Sequence, residues 1–185
     1  DAVWGKSFGD VFNQLAFRVA TDAAKNPVVI GDFVGEIKFG ADDSTKLTSP
    51  GARDILVAKR DAQDGHHLWS RAFPGQGDDI GRGVAVDAEG NTLFCGTFTV
   101  DIDLDGEPGG VIASVGANDL AFGKLDKNGD HVWSKTAGSP GNDECTGIAV
   151  DAGGNVFAAG YTNGAFTIDG TTVTSQGAAD IFLAK

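Results

Sequence analysis

Val84–Phe98, VAVDAEGNTLFCGTF, sets two runs of β-branched and aromatic residues about an Asp-x-x-Gly-Asn turn, and the chain contains it three times. It returns as VATDAAKNPVVIGDF from Val19 and as IAVDAGGNVFAAGYT from Ile148, at offsets of 65 and 64. Other landmarks keep step. Trp4, Trp69 and Trp133 are spaced by the same 65 and 64, and ARDILVAK, ANDLAFGK and AADIFLAK begin at Ala52, Ala117 and Ala178. The last of these spacings is 61, because the third repeat is shorter just before it. Self-similarity at such a period marks a repeat architecture.

Each unit reads as four short strands. GVAVDA and TLFCGTF form one hairpin across DAEGN, where Asp and Gly-Asn supply turn chemistry and positive φ. A polar, Gly-rich insertion follows, and DLAFGKLD and HVWSKTA then form a second hairpin across KNGD. Four antiparallel strands repeated at this length are the unit of a β-propeller, with the first strand lining the channel and the Trp strand outermost. A β-solenoid has a much shorter repeat. The expected fold is therefore all-β: a single propeller domain over residues 1–185, with three four-stranded blades at about 1–65, 66–130 and 131–185.

The chain has 185 residues, 41% of them hydrophobic, enough for one domain with a full core. No apolar run approaches the length of a membrane-spanning helix, so no membrane insertion is expected. Lys and Arg number 14 against 26 acids, a formal charge of -12, which repels nucleic acid before any specific contact forms. The chain lacks Met and begins with Asp, which suggests a processed or trimmed protein. Cys95 and Cys145 are compatible with one disulfide in an oxidising compartment or with two buried thiols.

GQGDDIGRGVAVDAEGNTLFCGTF (Gly75–Phe98) and GSPGNDECTGIAVDAGGNVFAAGYT (Gly138–Thr162), with the following xxDxxxxK strand and GxxxWS, resemble the bacterial β-propeller repeat known as SBBP. The likeness covers nearly the whole chain. Only the first repeat departs, with TDAAKN (Thr21–Asn26) at the turn. The resemblance implies an extracytoplasmic, secreted or cell-surface protein acting as a binding or scaffold module, without a defined activity.

DIDLDG, Asp101–Gly106, begins as calcium loops begin. In repeat register, however, Asp101, Asp103 and Asp105 fall on Glu36, Lys38 and Gly40 and on Ala165, Thr167 and Asp169, so a lysine replaces the middle ligand. The twelfth position, which needs a bidentate acid, is Ile112, and the ninth is Gly109. Between the acids, Ile102 and Leu104 match Ile37 and Phe39, and Phe166 and Ile168, which is the alternation of a half-buried strand. No cofactor is expected, with Asp101, Asp103 and Asp105 as the weaker calcium alternative, and calcium is expected to add little to the fold.

Asp22, Asp87 and Asp151 recur in the first turn, and Asp54, Asp119 and Asp180 at the start of the third strand. Features present in every unit serve folding, and the same holds for the three Trp residues. His66, His67 and His131 sit near the turn before the Trp strand and read as surface residues. There is no G-x-S-x-G elbow, H-E-x-x-H pair or phosphate loop, so no catalysis is expected.

What varies between repeats is the loop set on one face. FGDVFNQ, GQGDD and GSPGNDE lead into each new blade, and GADDSTKLTSPG, DGEPGGVIASVG and DGTTVTSQG join second to third strands. Their acids, amides and hydroxyls suit a glycan, a cation or a basic protein patch, and Asp78, Asp79, Asn142 and Asp143 are the expected ligand contacts. The reading is a non-catalytic binding or scaffold module of an exported propeller. The alternative is a glycan-binding lectin with repeated sites, and third comes a propeller enzyme or a fragment of a larger surface protein. Propellers need roughly four to eight blades. Two copies are therefore expected to close a six-bladed ring, the Trp4 strand of each completing the blade that ends at Lys185 of the other.

Overall fold

The computed structural model describes residues 4–40 and 43–185. In the first repeat, β1 (Gln14–Thr21) and β2 (Pro27–Phe33) form a hairpin, β3 (Glu36–Lys38) and β4 (Lys46–Thr48) a short ribbon, and β5 (Asp54–Arg60) and β6 (His67–Phe73) a second hairpin. The second repeat runs β7 (Ile80–Val86), β8 (Thr92–Phe98), β9 (Asp101–Asp103), β10 (Val111–Ala113), β11 (Asp119–Leu125) and β12 (His131–Ala137). The third runs β13 (Asp143–Val150), β14 (Val156–Thr162), β15 (Ala165–Ile168), β16 (Thr171–Thr174) and β17 (Asp180–Ala184). The main sheets are β1-β2-β5-β6, β7-β8-β11-β12 and β13-β14-β17, all pairs antiparallel, and β3-β4, β9-β10 and β15-β16 form two-stranded ribbons.

The expected half-buried strand in the polar insertion is present, and it has a partner the sequence did not mark: in every repeat the insertion folds back as a ribbon whose apolar residues, Ile37, Ile102 and Phe166, are buried. Among the described residues the third main sheet has three strands, where the first two have four. The expected opening strand, AVWGKSF, begins at Ala2 and Val3, which lie outside the described residues, and Trp4–Phe8 pair with no strand.

The turns form as their chemistry requires. Asp22, Asp87 and Asp151 accept the backbone N–H of Asn26, Asn91 and Asn155 at 2.9, 2.8 and 2.9 Å, and the same Asn side chains donate to the second carboxylate oxygen. Lys59 and Lys124 reach from the third strand to Asp22 and Asp87, each at 2.8 Å. The αL position of this turn is Gly90 and Gly154 in the later repeats and Lys25, at φ 68°, in the first. The unusual TDAAKN turn therefore keeps the common geometry at the cost of a strained non-glycine residue.

The sheets stack by faces, in register with the repeat. Val28, Ile30, Ile55 and Val57 of the first sheet pack on Phe94, Ala121 and Leu125 of the second. The repeat-equivalent Cys95, Leu120 and Phe122 of the second pack on Cys145, Ala158, Phe166 and Phe182 of the third. The Trp residues bridge neighbours at the outer edge: Trp4 Nε1 donates to the Ala62 carbonyl and Trp69 Nε1 to the Lys127 carbonyl, both at 3.1 Å. Each buried aliphatic or aromatic side chain in these layers contributes roughly 1.5–3 kcal/mol, so the junctions between sheets hold most of the stability.

Candidate functional site

Asp78, Asp79, Asn142 and Asp143 occupy the loops leading into β7 and β13, as expected, but they point two ways. Asp78 and Asn142 lie at the surface, whereas Asp79 and Asp143 are fully buried. The cause is strand alternation: Asp143 is the first residue of β13 and Asp79 immediately precedes β7, so each already faces inward while its neighbour faces solvent. Burial removes Asp79 and Asp143 from the set of surface contacts. Burial also pushes the Asp79 carboxyl up to about 8, because one hydrogen bond, from the Thr99 N–H at 3.1 Å, is its only compensation.

Asp78 meets Arg53 side-on, with Nε to Oδ1 at 3.2 Å and Nη2 to Oδ2 at 3.1 Å. Arg53 Nη1 is also 3.8 Å from Asp32 Oδ2 on β2. Asp32 is buried, and burial raises its pKa against the opposing pull of Arg53 and Arg82.

Arg82 is the residue that motif reading missed. In each repeat the innermost strand skips one residue in its ladder, between Ala16 and Arg18, Gly81 and Gly83, and Cys145 and Gly147. The bulged residues are Phe17, Arg82 and Thr146, at one repeat position, and a bulge re-aims the side chain it carries. Nothing in the sequence marks the position, since its neighbours differ between repeats as well: Ala16, Gly81 and Cys145 precede it, and Arg18, Gly83 and Gly147 follow it. Arg82 Nη2 approaches Glu144 Oε2 on β13 at 3.6 Å, and its guanidinium lies 5.6 Å from the centre of the Phe17 ring. Arg82 Nε is buried with no hydrogen-bond partner. Beside Glu144, Tyr161 on β14 is pushed up to about 12, by burial first and by its hydrogen bond to Glu144 next. Asp78, Arg53, Asp32, Arg82 and Glu144 thus alternate in charge across the three main sheets, and the series ends at the neutral Tyr161 phenol.

The remaining candidates are consumed by local structure. In DIDLDG, Asp101 Oδ1 accepts the Gln76 N–H, Asp103 Oδ1 the N–H groups of Asp105 and Gly106, and Asp105 Oδ1 that of Glu107. The three carboxylates turn to separate amides. Asp61, Asp64 and His66 do converge, with ligand atoms within 4.8 Å of one another, yet all three are bonded within their own turn. His67 and His131 each meet a serine three residues on, Ser70 and Ser134, at 3.1 Å, a contact repeated along two outer strands and so tied to the unit.

A repeated antiparallel sheet, with the first strands gathered side by side and carrying the bulged side chains, defines a β-propeller-type repeat protein. The comparison with known families agrees: residues 132–167 match the family model described as SBBP, beta-propeller repeat. No curated protein matches the chain.

Proposed function

We propose that the chain is a non-catalytic binding or scaffold module whose binding face lies where the loops into β7 and β13 meet the bulged inner strands. The observation that carries this reading is Arg82, a partly exposed arginine on a bulge, with its guanidinium beside Phe17 and Glu144. The Arg82 side chain is about one-third exposed, so the outer edge of its planar, permanently charged guanidinium is open to a ligand. Phe17 and Tyr161 flank it, and aromatic faces beside bidentate charged groups are what a sugar ring needs, which favours the lectin alternative over a basic protein patch. The chain's setting is extracytoplasmic, a reading supported by the Cys95–Cys145 disulfide. Among the described residues no helix is long and apolar enough to cross a membrane.

The assembly reading is a ring closed by a second copy. Ile55 and Val57, and Leu120 and Phe122, are covered by the next sheet, but their equivalents Ile181 and Leu183 are 89% and 74% exposed. A groove of about 530 Å3, lined by Phe122, Trp133, Ile168 and Leu183 among others, opens beside them. The AVWGKSF segment of a second copy has the sequence of the outer strand that β17 lacks.

The test is a glycan array probed with the native protein, repeated with Arg82→Ala and Asp78→Ala. Saturable binding lost in Arg82→Ala is expected. An array without signal sinks the lectin reading, and a ligand held equally by both variants sinks this face.

A further inference from the structure

Each junction between neighbouring main sheets encloses a pair of carboxylates. At the first, Asp54 at the start of β5 and Asp79 before β7 are both fully buried. Asp54 Oδ1 accepts the Gly75 N–H at 2.9 Å and Asp79 Oδ1 the Thr99 N–H at 3.1 Å. The second oxygen of each, Asp54 Oδ2 and Asp79 Oδ2, is buried without a partner. Both carboxylates meet at Gly75: its amide donates to Asp54 Oδ1, while Asp79 Oδ2 and the Asp101 carbonyl oxygen pack so closely on it that a Cβ would overlap both. Only glycine lets these oxygens approach the backbone so closely. At the second junction Asp119 and Asp143 are buried in the same way. Their Oδ2 atoms accept the N–H groups of Val115 and Ser139, and their Oδ1 atoms have no partner.

Elsewhere this protein neutralises its recurrent acids with its own cations, as Lys59 does for Asp22 and Lys124 for Asp87. Among the described residues no Lys or Arg forms an ion pair with Asp54, Asp79, Asp119 or Asp143. A buried carboxylate without a counter-charge costs several kcal/mol, and a second beside it adds repulsion. The pairing is also confined to junctions. Gln14, neutral, takes the place of Asp79 and Asp143 on the first sheet, whose outward face has no preceding sheet, and Asp180 spends its Oδ2 on the Gln176 N–H and the Ser175 hydroxyl.

We propose that each junction binds one hard divalent cation of the calcium type, through Asp54, Asp79 and the Asp101 carbonyl at the first and through Asp119 and Asp143 at the second. Hard cations take oxygen ligands, carboxylate and backbone carbonyl foremost, with water completing the shell. The ion supplies the counter-charge that the fold omits and ties each sheet to the next. The site is separate from the DIDLDG side chains and independent of any ligand on the loop face.

The experiment is calorimetric titration of the chelator-treated full chain with calcium chloride, joined to thermal scans at neutral pH. The expected result is two ions per chain and a melting temperature raised by roughly 10–20 °C when calcium stands about 100-fold above its dissociation constant. Asp79→Asn and Asp143→Asn preserve shape and should each abolish one ion, while Asp103→Ala with Asp105→Ala should leave both. Should an Asn variant fail to fold, the titration of the native chain still decides. A native protein that takes up no calcium holds a proton in each pair, and this overturns the proposal. So does uptake that survives both Asn substitutions or disappears with Asp103 and Asp105.

Discussion

Cys95 on β8 and Cys145 on β13 are joined by a disulfide at the position where Ile30 and Gly81 meet one junction earlier. Ile30 and Cys95 are repeat equivalents, as are Gly81 and Cys145. At the first junction the large side chain fills the space left by a glycine, on which a Cβ would lie 2.5 Å from Ile30 Cγ1. At the second the same space is closed by a covalent bond between sheets. The bond spans 50 residues of chain, and by the loop-entropy relation its removal costs about 4 kcal/mol. Reduction, or Cys95→Ala with Cys145→Ala, should lower stability by about that amount in a denaturant titration. A loss below about 1 kcal/mol would show that packing alone holds the second and third sheets.

Gly129 and Gly154 separate two reasons for glycine. Both have positive φ, 85° and 79°, but a Cβ on Gly129 would stand 2.7 Å from the Trp69 ring whereas one on Gly154 would meet nothing. Gly154→Ala should cost about 1–2 kcal/mol, the left-handed backbone penalty alone. Gly129→Ala adds displacement of Trp69 from its seat on the Lys127 carbonyl, a further 1–3 kcal/mol or so. Equal losses in thermal melts of the two variants would remove Trp69 as the link between the first two sheets.

The repeat made the main sheets legible before any coordinates, because β-branched runs, Asp-x-x-Gly-Asn turns and recurring Trp residues all act locally. Three features escaped. The first strand of each ribbon shows its alternation, but the second does not, since a strand of three or four residues such as Val111–Ala113 carries too short an alternation to register. Asp79 and Asp143 look like loop acids in the sequence, which does not mark which of two neighbouring residues first turns inward. Arg82 was missed because a bulge depends on how two strands pair, and no single strand encodes it.

Tyr161 is the only tyrosine in the chain, so its phenol can be titrated by its ultraviolet band without ambiguity. Burial and the Glu144 contact push it up to about 12, from about 10 in an unfolded chain. The fold therefore favours the neutral phenol, and the sign follows: this contribution to stability is complete below pH 10 and is lost as pH rises toward 12. Glu144→Gln removes the negative neighbour and should lower the phenol's midpoint. A midpoint near 10 in the native protein would mean that Tyr161 does not face Glu144 in solution.

Ile181 and Leu183 offer a test of the proposed assembly, because they are largely exposed within one chain. Both point away from the second sheet, while Phe182 between them is buried against it. Replacing the two with lysine should leave the monomer's melting temperature nearly unchanged, since surface substitutions usually alter stability by less than about 0.5 kcal/mol. If a second copy covers them, the same change places two charges in an apolar contact and prevents association. Light scattering at low micromolar concentration should then report twice 19.0 kDa for the native chain and 19.0 kDa for the double variant. A native chain that is already monomeric sinks the two-copy ring, and an assembly that persists in the variant places the contact elsewhere than on the β17 face.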